Sequence, residues 1–154
     1  MSFSPFVPVT PKPVSAAQYP VLFGSAELSW RLHITARQLQ WWDEQGILPA
    51  RHEGHKRLYS QREAVLAGVI LKFRQAGLGR VRLQKALRTI LTAARNEELP
   101  RYLVVNWKSG LSCPASSDSQ ALQIASTFCD QGIPSLLIDV EQIENKLAPA
   151  PFSF

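Results

Sequence analysis

The chain has 154 residues, of which 45% are hydrophobic and 19% charged, with a net charge of +5. That length suits one globular body or two small lobes, and no apolar run approaches the ~18 residues of a membrane-spanning helix. The N-terminus lacks the charged region and apolar core of a secretory leader, so a soluble, cytoplasmic chain with no membrane partner is expected.

In chain order, residues 1–22 place Pro5, Pro8, Pro11, Pro13 and Pro20 among small and apolar residues, which predicts an extended, disordered arm. SAELSWRL then has apolar residues at 28 and 32 behind a small N-capping residue and reads as a first helix, Ser25 to Leu32, with Trp30 also assigned to the core. His33 and Ile34 form a turn. Thr35 is the N-cap of a second helix over 35–45, whose Leu39 and Trp42 share the inward face while Arg37, Gln38 and Trp41 point away. Gly46 stops that helix. Ile47, Leu48 and Pro49 lead into a hairpin over 50–59, with HEGH as its turn and KRLY returning with Leu58 and Tyr59 on opposite faces.

QREAVLAGVILKFRQAG follows as a core helix, with Val65, Leu66, Val69, Ile70 and Phe73 at helical spacing and Gly77 ending it. A further helix carries an apolar stripe of Val81, Leu83, Leu87, Ile90 and Leu91; Arg80, Arg82, Lys85, Arg88 and Arg95 form a largely solvated basic face. Asn96 to Pro100 breaks it before sustained heptads develop. YLVV is a strand, SSDSQALQIASTFCDQG a helix with Ala121, Leu122, Ala125 and Phe128 inward and Gly132 as its C-cap, PSLLIDV a second buried strand, and EQIENKL a closing helix with Ile143 and Leu147 inward. Residues 107–113 are a further candidate strand and 148–154 a tail. The fold class is thus α+β: an N-terminal winged helix-turn-helix, mostly α with a β-hairpin wing, over 23–95, then a small β-α-β-type lobe over 101–147.

Charge is segregated along this plan. Arg31 to Arg95 holds 13 Lys and Arg against 4 Asp and Glu, a net of +9; the remainder holds 4 against 8, a net of −4, and together they make the +5 of the chain. A basic domain joined to an acidic one suits phosphate binding with the second module held off the polyanion. Other chemistry is sparse. Cys113 and Cys129 have no close His or Cys companion for zinc, and Cys129 reads as a small core residue. His33, His52 and His55 fall in turns at spacings unsuited to a metal, and Asp139 at a strand end reads as a cap or turn residue. With no glycine-rich phosphate loop, nucleophile-base pair or paired carboxylates, no enzyme, cofactor or metal is expected.

The order ELSWRLHITARQLQWWDEQGIL, then R-x-Y-S at Arg57 to Ser60, then an apolar helix ending in RQAGLG, resembles the DNA-binding domain of MerR-type transcriptional regulators over roughly 23–91. The resemblance implies a bacterial regulator of double-stranded DNA, nucleoid-associated, acting as a homodimer, with RNA polymerase as a further partner. In that family the second helix enters the major groove and its aromatic pair divides between DNA backbone and core, roles that fall on Trp41 and Trp42. The family's wing arginine falls on Arg57, with Tyr59 packing beside it. Gln40 stands where many members have arginine, which weakens a phosphate contact or changes base preference. Some relatives bind metals or oxidants through cysteines beyond this domain.

The expected site is therefore Thr35, Arg37, Gln38, Gln40 and Trp41 on the helix and His55, Lys56, Arg57 and Tyr59 on the wing. Gln38, Gln40 and Arg37 meet base edges, Thr35 and the helix N-terminus approach a phosphate, and His55, Lys56 and Arg57 follow the backbone. Trp41 has a second reading, packing against the wing. The lobe of about fifty residues is marginal as an independent core, so it leans on the winged helix or on a second copy of itself; dimerisation is the favoured role, because helix-turn-helix dimers read half-sites about 34 Å apart, and sensing is the alternative. Two further functions fit the residues: an excisionase-like or architectural DNA binder, which also lacks a long coiled coil, and a winged-helix protein-interaction module.

Overall fold

A computed structural model describes residues 22–93 and 99–148, with side chains given for all but 91–93. The readings of the arm before Leu22, the tail beyond Ala148, the Leu91 side chain, Arg95 and the break at 96–98 lie outside what is described. The elements are β1 (Leu22–Gly24), α1 (Ser25–Leu32), α2 (Ala36–Glu44), β2 (Arg51–Glu53), β3 (Lys56–Ser60), α3 (Gln61–Gln75), α4 (Arg80–Ala93), β4 (Tyr102–Asn106), β5 (Ser112–Ala115), α5 (Asp118–Asp130), β6 (Ser135–Asp139) and α6 (Val140–Leu147). Mixed helix and strand give the α+β class.

The N-terminal half is organised by local signals. α1 follows Gly24, which offers no side-chain cap, and ends at His33, a left-handed residue (φ 58°) whose N–H returns to the Ser29 carbonyl. That turn drops Ile34 into the core and delivers Thr35, whose Oγ accepts from the Gln38 N–H while the Gln38 side chain accepts from the Thr35 N–H, a closed capping box. At the other end Gly46 takes φ 73°, and the Ile47 and Leu48 N–H groups both donate to the Trp42 carbonyl. The chain thereby reverses and buries both residues. β2 and β3 pair antiparallel around Gly54, with Arg51 opposite Leu58, His52 opposite Arg57 and Glu53 opposite Lys56. β1 adds to the far edge of β3, Phe23 opposite Tyr59, so the hairpin is two strands of a three-stranded sheet ordered β1-β3-β2.

α3 is buried on all sides from Ala64 to Ile70, beyond the single stripe expected from its larger residues. The extra burial comes from α6: a Cβ placed on Gly68 would lie 2.5 Å from Ile143 Cγ2. Only glycine lets the two helices approach this closely.

In the C-terminal half β4 is the central strand, paired antiparallel with β5 and with β6. α5 therefore links two outer strands that run parallel to each other with β4 between them. The third strand is Ser112–Ala115, and residues 107–110 form the turn before it. β4 alternates across the sheet: Leu103 and Val105 join the core that includes α3 and α6, while Val104 joins Ala115 and Ala121 beneath α5. Asp139 caps α6 by accepting from the Glu141 and Gln142 N–H groups, and Ile143 and Leu147 face inward. The two halves are also joined by hydrogen bonds from Arg31 Nη1 to the Ala148 carbonyl (3.0 Å) and from Arg82 Nη1 to the Trp107 carbonyl (3.2 Å).

Several expected core positions are at the surface. Trp30 is 77% exposed, because Leu28 and Leu32 define the inward side of α1 and a residue two places from each lies round the back. Val81 (80%) lies outside the stripe of Leu83, Ala86, Leu87 and Ile90. Leu122 (63%) is off the α5 stripe, which runs through Ala121, Ile124, Ala125 and Phe128. Cys129 is exposed rather than core, and β6 is half-buried, since it is an outer strand with Leu137 open to solvent.

Candidate nucleic-acid interface

The capping box sets the pitch of α2 so that Leu39 and Trp42 lock inward and Arg37, Gln40 and Trp41 face out, Trp41 with 41% of its surface open. Thr35 and Gln38 are exposed but committed locally to the cap. Gln40 Nε2 donates to Glu44 Oε2 at 2.9 Å, along the same exposed helix surface. His55 and Lys56 are exposed at the hairpin turn.

A cleft separates α2 from the hairpin, lined by Ala36 and Gln40 on one wall, His55, Lys56, Arg57 and Leu58 on the other, and Gly24, Ser25 and Ala26 at its end. Four of the nine expected site residues thus open onto one recess. Arg37 and Trp41 continue outward along α2, beside Ala36, Gln40 and Glu44. Tyr59 is different: it has no exposed surface and is part of the packing beneath the hairpin. Burial, followed by the nearby Asp43 carboxylate, raises its phenol above the ordinary value, so it stays neutral.

Asp43 and His52 were not among the expected site residues. Asp43 Oδ1 accepts from the Ala50 N–H (3.0 Å), and Oδ2 accepts from Arg57 Nε (2.8 Å) and lies 2.7 Å from His52 Nε2. A carboxylate only accepts, so Nε2 carries the shared proton. Burial by itself would raise the Asp43 pKa, but the Ala50 N–H, Arg57 and His52 together outweigh it and hold the carboxyl below its usual range. His52 lies in β2 rather than in a turn. Nothing local in the sequence marks this cluster, because the partners of Asp43 stand 7, 9 and 14 residues downstream.

Residues 23–90 match the family described as MerR HTH family regulatory protein. This segment is a MerR-type helix-turn-helix domain. The match takes in α1, α2, the hairpin, α3 and most of α4, so the chain carries a DNA-binding domain of the transcription-regulator kind; residues beyond 90 lie outside it. No match was found among curated proteins. Among the described residues no helix is long and apolar enough to cross a membrane, and no group of three or more metal-binding side chains occurs.

Proposed function

We propose that the chain is a sequence-specific, double-stranded DNA-binding transcriptional regulator that works as a homodimer. α2 enters the major groove with Arg37, Gln40 and Trp41 toward base edges and backbone, and the hairpin acts as a wing whose His55, Lys56 and Arg57 follow the phosphates. The observation that carries the reading is the shared cleft, where Gln40 of α2 and all three hairpin residues converge in a segment of net charge +9. Gln38 and Thr35, engaged in the capping box, serve to fix the helix N-terminus against a phosphate, and base readout falls to Arg37 and to Gln40, which exchanges its exposed Glu44 contact for a base edge.

Pairing of protomers falls to the C-terminal half, where, among the described residues, β6 has a neighbour on one side only and Leu122 and Leu137 are exposed. The described part of α4 has 14 residues, about 21 Å of helix, too short for an extended coiled coil by itself. That same observation favours, as second reading, an architectural binder that bends DNA.

Selection of bound sequences from a pool of random duplexes at two salt concentrations, with Arg57→Ala in parallel, tests the proposal. An enriched inverted repeat, weakened by salt and by the substitution, is the expected result. Salt-sensitive binding without enrichment would transfer support to the architectural reading, and absence of binding would remove both.

A further inference from the structure

One carboxylate ties together the two surfaces that the proposed function assigns to DNA. Asp43 stands in the last turn of α2, with a side chain only 10% exposed. It holds the backbone at Ala50, where the chain enters the hairpin, and it holds both hairpin strands through His52 and Arg57, which are directly opposed across the β2–β3 ladder. A single side chain on the helix thus ties it directly to the entry and to both strands of the hairpin.

The same contact disposes Arg57. Its Nε is spent on Asp43, and its two terminal nitrogens make no hydrogen bond among the described residues. A guanidinium is planar and rigid, so fixing Nε fixes where the terminal N–H groups point. They are left for an acceptor from outside, and a phosphate takes such a pair of donors well.

A negative charge beside a surface that binds a polyanion should weaken binding if charge were all that mattered. We infer that Asp43 is a positioning residue for DNA binding: it locks the hairpin against α2 and presents the Arg57 guanidinium to the phosphate backbone, a gain that exceeds its own repulsion of DNA. The inference rests on the DNA-binding reading above.

The two ideas of charge and position predict opposite signs, which makes the test sharp. Binding of the wild-type chain, Asp43→Asn, Arg57→Ala and the double variant to a selected duplex is measured by fluorescence anisotropy across a salt series. Asp43→Asn is expected to weaken binding on the order of tenfold and to lower the salt slope by about one, as loss of one phosphate contact does; in the Arg57→Ala background it should change affinity little, because the two act through one contact. Asp43→Glu keeps the charge while displacing the carboxylate by one methylene, and should also weaken binding; it serves as well if the asparagine variant does not fold. Binding by Asp43→Asn equal to or tighter than wild type, or an effect undiminished in the Arg57→Ala background, would overturn the positioning role while leaving the DNA-binding reading intact. If the wild-type chain binds no duplex, that reading fails and the inference with it.

Discussion

Gly68→Ala adds one methyl group at the closest approach between α3 and α6. The new Cβ would sit 2.5 Å from Ile143 Cγ2 and 3.4 Å from Cγ1 and Cδ1, whereas carbon atoms rest at about 3.5–4.0 Å. Cγ2 is attached directly to the Ile143 β-carbon, so no rotation of the outer side chain removes it from the path. Ile143 is 2% exposed and α3 is buried throughout this stretch, so α6 must retreat by about 1 Å. Overpacking of this kind costs typically 1–3 kcal/mol, against which alanine gains about 1 kcal/mol in helix propensity over glycine. The balance is a loss of up to about 2 kcal/mol, or a midpoint as much as about 8 °C lower for a body of this size. Thermal unfolding followed by circular dichroism measures it. Ile143→Ala in the Gly68→Ala background should recover part of the combined loss, since it removes the clashing atom. A rise in the midpoint, as Gly→Ala gives in a helix with free space, would show that α6 does not press on Gly68 and would refute the packing argument.

Further outcomes follow from the positions of other side chains. Trp30→Ala should leave the unfolding midpoint nearly unchanged, while Trp42→Ala should cost about 3–5 kcal/mol, because Trp30 is largely solvated and Trp42 is buried; equal losses in a denaturant titration would contradict the orientation of α1. Asp43 has a folded-state pKa below its unfolded one, so its stabilisation is complete above the unfolded value and is lost as pH falls through the folded one. Wild type should therefore unfold at higher temperature than Asp43→Asn near pH 7, with the gap closing below about pH 4; a gap that persisted at pH 2 would deny the ionised carboxylate its role. Cys129 is exposed and Cys113 partly covered, with burial pushing the Cys113 thiol up, so titration with an aromatic disulfide near neutral pH should show a fast phase lost in Cys129→Ser and a slow one lost in Cys113→Ser.

What could be read from the sequence divides along the range of the interactions. α2 was legible to within a residue at each end because its signals are local: Thr35 and Gln38 close a cap three residues apart, and Gly46 takes the one backbone conformation that stops the helix. α6 and its inward pair Ile143 and Leu147 were legible for the same reason. Trp30 and Leu122 were misplaced where large apolar character was given more weight than the angle around the helix. β1 gave no signal, since three residues become a strand only by pairing with Leu58 to Ser60, 36 positions on. The Asp43 cluster was invisible because its contacts exist only after the hairpin has folded back onto α2. Tyr59 was expected beside Arg57 in the DNA-binding set, but its ring lies wholly inside.

The burial of α3 on every side bears on how the chain can be cut. On paper there is a break near residue 95, and a fragment ending there would contain the whole family-matched segment. Such a fragment would bare the flank of Gly68, now pressed against Ile143 of α6, within a helix buried from Ala64 to Ile70. Small side chains that form a good seat for another helix make a poor outer surface, leaving backbone and a shallow apolar furrow facing water. Modularity legible in the linear text is thus absent from the solid body, and a deletion series intended to isolate the family-matched segment would also be removing part of the core on which it rests.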